Sequence, residues 1–296
     1  MAKSKNAKIQ LVLSMVLFGT IGLFVRYLSM PSSVIALCRA WIGGLFLLAV
    51  LAFRRKTISI QAFKKNLAWL VCSGAFLGFN WIALFEAYRH TSVAVATVCY
   101  YMAPIIVIFC APWLLKESLS SKKIVCSFAA VIGMGMLSLS SAGGQLSKNS
   151  STGILIGLLA ASLYACVILC NKQIKGIEAL DKTVIQLLIS GVLMLPYCIV
   201  TTDFSSLSVD SFQLVMLLVV GILHTGVTYL LYFGSMEYVS GQSIAVISYI
   251  DPVVAVLLSV FFLKEPLSSL EWIGAGVILT SALLSEINWK GKHIHD

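Results

Sequence analysis

Charged side chains are scarce in this chain of 296 residues, since Asp, Glu, Lys and Arg make up 11% of it while 59% is hydrophobic. A soluble globular domain contains about 25% charged residues. So small a polar fraction could not cover the apolar surface of a water-soluble core of this size. The composition therefore excludes a soluble enzyme, a disordered protein and a secreted disulfide scaffold, and it indicates a polytopic membrane protein.

Catalytic and nucleotide-binding motifs are also missing. The sequence has no HExxH, GxxxxGK[ST] or GxSxG segment, and its eight cysteines form no CxxC pair. We therefore expect no enzyme activity, no cofactor and no metal, and any active transport must draw on an ion or solute gradient. The net charge of +9 would suggest a nucleic-acid partner in a soluble chain. In a membrane protein the placement of the charges matters more, and we expect no such partner.

Long apolar segments dominate the sequence. A helix needs about 20 apolar residues to cross the hydrocarbon core of a bilayer. Ten segments qualify: 9–28, 33–53, 67–88, 92–115, 123–141, 153–171, 183–202, 211–235, 240–263 and 269–287. They lack the alternating polarity of barrel strands, and backbone groups in lipid must pair internally. The sequence thus predicts an all-α integral membrane protein with ten transmembrane helices.

Basic residues lie mostly on one side of these segments. If the N-terminus is cytoplasmic, 16 of the 21 basic residues lie on the inner side and four on the outer side. The inner residues are Lys3, Lys5, Lys8, Arg54, Arg55, Lys56, Lys64, Lys65, Lys116, Lys122, Lys123, Lys172, Lys175, Lys182, Lys290 and Lys292. The positive-inside rule therefore predicts a multi-pass protein of the cell membrane with both termini in the cytoplasm.

An internal repeat divides the chain. Residues 78–121 align without a gap on residues 226–269. Identical pairs include Tyr101/Tyr249, Pro104/Pro252 and the segment Leu115-Lys116-Glu117 with Leu263-Lys264-Glu265. We expect two halves, 8–141 and 152–287, of five spans each. Because five is odd, the halves insert with opposite orientations, as in secondary transporters that bind their substrate between inverted repeats.

Three segments in the first half and two in the second carry a family resemblance. Trp81–Tyr88, Tyr100–Pro104 and Leu115–Glu117 resemble the EamA-like branch of the drug/metabolite transporter superfamily, and Tyr249–Pro252 and Leu263–Pro266 repeat the last two. The resemblance covers roughly 8–140 and 152–286. It implies ten helices in two inverted repeats and the transport of amino acids, amines, carboxylates or related metabolites, often outward. One departure is Phe18-Gly19, where many relatives have Trp-Gly.

Asp251 is the leading candidate for a binding residue. Ionisable groups inside a span cost several kcal/mol unless they face a partner or a wet cavity, with estimates starting at about 2.5–3.5 kcal/mol at the helix centre. Asp251 lies near the middle of the ninth span, and its repeat counterpart is Ala103. It immediately precedes Pro252, which leaves a backbone carbonyl one turn earlier without its helical partner. Pro104 and Pro252 are the candidate hinges.

Three other ionisable residues in spans have alternative interpretations. His224 could exchange protons with Asp251, since its usual pKa is about 6.5, or it could bond a backbone carbonyl as a neutral ring. Arg39 could reach to the interface, pair with an acid such as Glu86, or bind a substrate carboxylate. Glu86 could form part of an outer gate or a salt bridge to Arg89 or Arg26.

Polar and aromatic residues deep in the spans complete the candidate site. A tyrosine in hydrocarbon needs a partner for its hydroxyl, so such residues face either a cavity or another helix. The set comprises Asn80, Trp81, Tyr100, Tyr101, Tyr229 and Tyr249.

A secondary transporter of a small polar metabolite fits these features best. Both a cation and anions are available in the spans, which favours a zwitterion such as an amino acid, exchanged with a proton by alternating access. An organic cation or drug and a small carboxylate are the alternatives. A channel would show rings of like charge, and an intramembrane enzyme a nucleophile or metal set. Export is implied by the resemblance alone, and a monomer or weak homodimer in the bilayer is the simplest assembly.

Overall fold

The computed structural model describes residues 2–53, 60–91, 93–141, 150–263 and 268–286, and within them the chain is helical, with no strand. The first half contains α1 (Ala2–Val25), α2 (Ser32–Phe53), α3 (Ile60–His90), α4 (Val93–Tyr100), α5 (Ala103–Leu114) and α6 (Ser121–Ser141). The second half contains α7 (Ser150–Gln173), α8 (Ala179–Thr201), α9 (Ser211–Gly221), α10 (Thr228–Ser235), α11 (Gly241–Ile247), α12 (Ile250–Leu263) and α13 (Ser269–Glu286). A π-helical turn, Ile222–Val227, joins α9 to α10, and a 3₁₀ turn covers Phe204–Ser206.

The helices have the length and surface of membrane spans. Eight helical stretches in the described residues are long and apolar enough to cross a bilayer, and Ser269–Ser285 is a shorter apolar helix. Apolar side chains such as Phe53, Trp113 and Val200 are more than four-fifths exposed on the outside of the bundle. Lipid is the solvent that suits such a surface. The predicted all-α membrane fold is confirmed.

Three of the predicted spans are interrupted, which the sequence analysis did not anticipate in detail. The span 92–115 consists of α4 and α5, the span 240–263 consists of α11 and α12, and the π-helical turn interrupts 211–235. The first two breaks fall just before Pro104 and Pro252, because proline lacks an N–H and restricts the residue before it. Some ends also differ: α1 stops at Val25, three residues before the predicted end, and α3 begins seven residues early.

Helices of one half pack against helices of the other half. α3 packs against α7, and correspondingly α9 and α10 pack against α1. α2 packs against α8 and α6 against α13, so these helices meet their own repeat counterparts. A two-fold relation between the halves produces this pattern. Since each half has an odd number of spans, the axis lies in the membrane plane.

One close helix contact near this axis depends on glycine. Gly43 in α2 lies against the π-helical turn, and a Cβ at this position would lie 2.9 Å from both Gly221 O and Gly226 N. Gly276 in α13 has nothing within 4 Å of the same position. These two helical glycines therefore form a matched pair for testing the contact.

Gly43→Ala should lower the melting temperature of the detergent-purified protein, because the new methyl group forces apart two backbones, at a cost of about 1–3 kcal/mol. Gly276→Ala should leave the melting temperature unchanged or raise it, since alanine favours a helix by about 1 kcal/mol over glycine. Differential scanning fluorimetry measures both variants. Equal shifts in the two would contradict the role of Gly43.

Candidate functional site

A cavity of about 160 Å³ lies between the two halves. Its lining is Met15, Phe18, Ile21, Arg39, Tyr100, Tyr101, Ala103, Pro104, Tyr164, Tyr229, Ser248 and Asp251. Two pairs of repeat-related positions face it, Tyr100 with Ser248 and Ala103 with Asp251. Because related positions meet here, the cavity lies at the two-fold axis. We call it the inner cavity.

The inner cavity continues toward one end of the bundle. A second cavity of about 360 Å³ shares Ile21, Arg39, Tyr100, Tyr101 and Asp251 with it, and we call this the outer cavity. A third, of about 270 Å³, shares Ser32, Phe85 and Tyr88 with the outer cavity and reaches Pro31, Arg89 and Thr202. The third cavity marks the open end of the bundle. The distribution of basic residues predicts that this end faces outward.

Two opposite charges line both cavities. Arg39 Nε donates to Thr225 Oγ1 at 2.9 Å, and the guanidinium lies 5.6 Å from the Trp81 ring centroid. Asp251 Oδ2 accepts a hydrogen bond from the Tyr101 hydroxyl at 3.2 Å. Arg39 and Asp251 form no ion pair with each other, and among the described residues no acid pairs with Arg39. Of the predicted environments for Arg39, the structure shows neither a reach to the interface nor a pair with Glu86, and the side chain lines both cavities.

Aromatic rings form the walls between these charges. Tyr100 stacks on Tyr164 with ring centroids 5.4 Å apart, and Tyr229 meets the edge of Phe18 at 5.0 Å. The Tyr100 hydroxyl donates to Asn80 Oδ1 at 3.3 Å. Asn80 in turn donates from Nδ2 to Ala160 O at 2.7 Å, which ties α3 to α7. Asn80 is fully buried and lines neither cavity, so it orients Tyr100 from behind.

The repeat-related tyrosines have different roles. Tyr101 reaches the cavity and Asp251, whereas Tyr249 is fully buried. The Tyr249 hydroxyl donates to the Tyr101 carbonyl at 2.9 Å, which lies at the break between α4 and α5. Trp81 lines the outer cavity and Pro104 the inner one, while Pro252 is buried beside Asp251.

Two further predicted site residues, like Asn80 and Tyr249, line neither cavity. His224 is fully buried with Nε2 2.8 Å from Thr20 Oγ1 and its ring centroid 4.8 Å from that of Phe24, so it faces α1 rather than Asp251. Glu86 lies at the rim of the open end, where it accepts from Arg89 Nη1 at 2.8 Å and from the Tyr197 hydroxyl. Of the two arginines predicted as partners of Glu86, Arg89 is the one that forms the salt bridge.

Several cavity residues were missed by the sequence analysis. Phe18 was noted only as a departure from a pattern, and Tyr164 and Ser248 were not singled out. Thr225, which contacts Arg39 but lines neither cavity, was not singled out either. The π-helical turn left one readable signal, the threonines Thr225 and Thr228 next to Gly226. Hydroxyls of this kind can bond carbonyls that an irregular helix leaves unpaired.

The opposite end of the bundle is closed by contacts between the halves. Glu117 Oε1 accepts from the Gly241 N–H at 2.8 Å, and Oε2 accepts from the Gln242 N–H at 3.4 Å. Gln242 Nε2 returns a bond to Ser118 O at 2.8 Å. The carboxylate of Glu117, from the first half, thus caps the N-terminus of α11. We call this end of the bundle the closed end.

Two lysines strengthen the closed end. Lys123 Nζ donates to Ser240 Oγ at 3.1 Å and to Ser243 Oγ at 2.8 Å. Lys172 Nζ donates to the carbonyls of Met236 and Val239 at 3.0 and 2.8 Å, at the C-terminus of α10. Three charged side chains therefore hold the turn between α10 and α11. The counterpart loop at Lys264 and Glu265 lies outside the described residues.

Comparison with known proteins places the chain among membrane transporters. Residues 6–139 and 151–287 each match the EamA-like transporter family. The chain is 29% identical over 294 residues to the uncharacterized transporter YxxF of Bacillus subtilis, covering 98% of this chain and 92% of that protein. It is 29% identical over 204 residues to protein PecM of Dickeya dadantii, covering 68% and 66%. A protein of known crystal structure superimposes with a TM-score of 0.85 at 17% identity, over 95% of this chain and 96% of that one, and it shares the fold.

Proposed function

Since the chain belongs to the EamA-like transporter family, we propose that it is a secondary transporter of a small zwitterion such as an amino acid. The observation that carries this proposal is the pair of charges facing the inner cavity, Arg39 and Asp251, which do not pair with each other. The cavity volume of about 160 Å³ suits a small solute, since sites for drug-sized ligands measure about 300–1,000 Å³.

Charge matching favours a zwitterion over the alternatives. A guanidinium binds a carboxylate through two parallel hydrogen bonds, and a carboxylate binds an ammonium group. An organic cation would engage Asp251 and leave Arg39 enclosed without a partner, and a carboxylate would do the reverse. An unpaired enclosed charge costs several kcal/mol. A solute that carries both charges leaves neither residue unpaired.

Alternating access would then move the solute across the membrane. The open end faces outward and the closed end faces the cytoplasm, as the placement of basic residues predicts. The helix breaks before Pro104 and Pro252 act as the hinges. Asp251 is the carboxylate that lines both cavities, so it binds either the substrate's ammonium group or a proton, and proton exchange drives export. The transporter acts in the cell membrane as a monomer or weak homodimer with both termini in the cytoplasm.

A solute panel tests this proposal. The purified protein is screened by thermal shift against the twenty L-amino acids, their carboxamides, which lack the carboxylate, and their N-acetyl forms, which lack the ammonium group. We expect stabilisation only by compounds that carry both charges, and proteoliposome flux of those compounds should respond to a pH gradient. Equal stabilisation by the carboxamides would replace the zwitterion with an organic cation. Equal stabilisation by the N-acetyl forms would replace it with a carboxylate, and no stabilisation by any amino acid would overturn the proposal.

A further inference from the structure

The π-helical turn between α9 and α10 interrupts a transmembrane span next to the candidate site. A π-helical turn inserts one residue into an α-helix, which turns the following residues by about 100°, and such turns occur frequently at functional sites. The turn lies in the eighth predicted span, and its residues His224, Thr225 and Gly226 are buried. It packs against α2, where Gly43 allows the two backbones to approach.

Two threonines add side-chain hydrogen bonds to carbonyls in and before the turn. Thr225 Oγ1 donates to Val220 O at 3.1 Å, and Thr228 Oγ1 donates to Leu223 O at 2.8 Å. Both side chains are fully buried, and each bonds the carbonyl five residues before it. They differ in one respect: Thr225 also accepts the Nε–H of Arg39 at 2.9 Å.

The hydrogen bond with Thr225 occupies Nε of Arg39 and leaves its two terminal nitrogens available to a ligand. With Nε bound, the two terminal nitrogens have no hydrogen-bond acceptor among the described residues, and Arg39 lines both cavities. A guanidinium fixed at Nε has lost much of its rotational freedom, so its terminal N–H groups keep one direction. Such a fork matches a planar carboxylate and suits other acceptors less well.

The repeat-related positions show that packing alone does not require a pair of polar residues here. The repeat counterparts of Arg39 and Thr225 are Leu187 and Leu77, and both leucines are fully buried. Leucines therefore serve at the related positions, where a buried arginine would be costly. Of the two repeat-related contacts, the polar pair occurs at the one where Arg39 faces the cavities.

We propose that Thr225 is a positioning residue that holds Arg39 Nε, so that the terminal guanidinium nitrogens select a substrate carboxylate. This inference rests on the proposed function for its ligand, but the contact itself can be tested without any ligand. Thr225 acts through Arg39 and does not itself line either cavity.

The ligand-free test uses the arginine side-chain signals. The chain has five arginines, so a protein labelled with ¹⁵N-arginine gives few Nε–H resonances, and the resonance absent from Arg39→Lys belongs to Arg39. We expect Thr225→Val to raise the exchange rate of that proton with water about tenfold or more, in line with the loss of one buried hydrogen bond to a charged group. Thr225→Ser should preserve the slow exchange. Thr228→Val, which removes the equivalent carbonyl bond without touching Arg39, should also preserve it.

The functional test measures selectivity. For every L-amino acid that stabilises the wild-type protein, Thr225→Val should raise the KM for transport about tenfold, leave kcat within twofold, and leave weak binding of the matched carboxamide unchanged. In the Arg39→Lys background the same substitution should have no further effect, because lysine has no Nε–H to be held.

The two tests separate the possible failures. If the exchange rate of the Arg39 Nε proton is unchanged in Thr225→Val, or rises equally in Thr228→Val, the positioning role is overturned whatever the substrate is. Altered exchange in Thr225→Val, together with an unaltered preference for amino acids over carboxamides, overturns the claim of selectivity. Slow exchange that depends on Thr225 in a protein that binds no amino acid would support the positioning role and refute the proposed function.

Discussion

Asp251→Asn should reduce transport of the zwitterionic substrate about 100-fold or more while the protein keeps its fold. The amide has the shape of the carboxylate and can still accept the Tyr101 hydroxyl, so the change removes the charge and little else. A hydrogen bond between charged groups is worth about 1.5–3 kcal/mol, and 2.8 kcal/mol corresponds to about 100-fold in affinity. Proteoliposome flux and thermal stabilisation by the substrate measure the loss.

Asp203→Asn is the matched control. Asp203 lies in the exposed segment between α8 and α9, and hydrogen bonds from the Ser205 hydroxyl and backbone N–H hold the pKa of its carboxyl below the usual range. Its substitution therefore removes a carboxylate charge at a distance from the cavities and should leave flux unchanged. A fully active Asp251→Asn protein would refute the assignment of Asp251 as a binding residue.

Glu117→Gln should open the closed end. The carboxylate accepts two backbone N–H groups at the start of α11, and the amide offers one acceptor and one repelling N–H₂ group in its place. The lost hydrogen bonds are worth about 1.5–3 kcal/mol. Their loss should raise the population of the state in which the closed end is open at least tenfold. Hydrogen–deuterium exchange should then rise at Gly241 and Gln242. The same experiment should show slower exchange at the open end, in the peptides around His90 and Thr201, because alternating access closes one end as the other opens.

Glu237→Gln provides the comparison for this variant. Glu237 is exposed and lies beside the same turn, but it caps no helix in the described residues. It should leave exchange at both ends unaltered. Faster exchange confined to Gly241 and Gln242 in Glu117→Gln, with no response at the open end, would show a local cap rather than a gate.

The sequence identified the fold because its signals are large and periodic. The ten apolar segments follow from the cost of placing polar groups in lipid. The uneven distribution of basic residues follows the positive-inside rule, and the repeat is visible as identical residues 148 positions apart. The same cost picked out Arg39 and Asp251, which do line the cavity. Residues that merely pack could not be separated in this way, since Phe18 and Tyr164 look like any other aromatic residue of a span.

The assignments around residue 224 show why the remainder could not be predicted. A regular helix drawn through 211–235 misplaces the residues after Ile222, because the π-helical turn rotates them by about 100°. The sequence analysis left open whether His224 exchanges protons with Asp251 or bonds a backbone carbonyl, and in the structure the ring contacts Thr20 and Phe24 in α1. Thr225 could be read from the sequence only as one of two threonines near Gly226, and nothing in the sequence connected it with Arg39.

The contact between Arg39 and Thr225 also affects how the protein is made. The two residues are 186 positions apart, and a ribosome adds about 5–20 residues per second, so about 10–40 s pass between their syntheses. During this interval α2 carries a guanidinium whose hydrogen-bond acceptor does not yet exist. The nascent first half must shelter that charge until the second half is inserted. A chain cut short between the repeats would keep this arginine in the bilayer without its acceptor, at the cost of several kcal/mol that an unpaired ionisable group carries in a span.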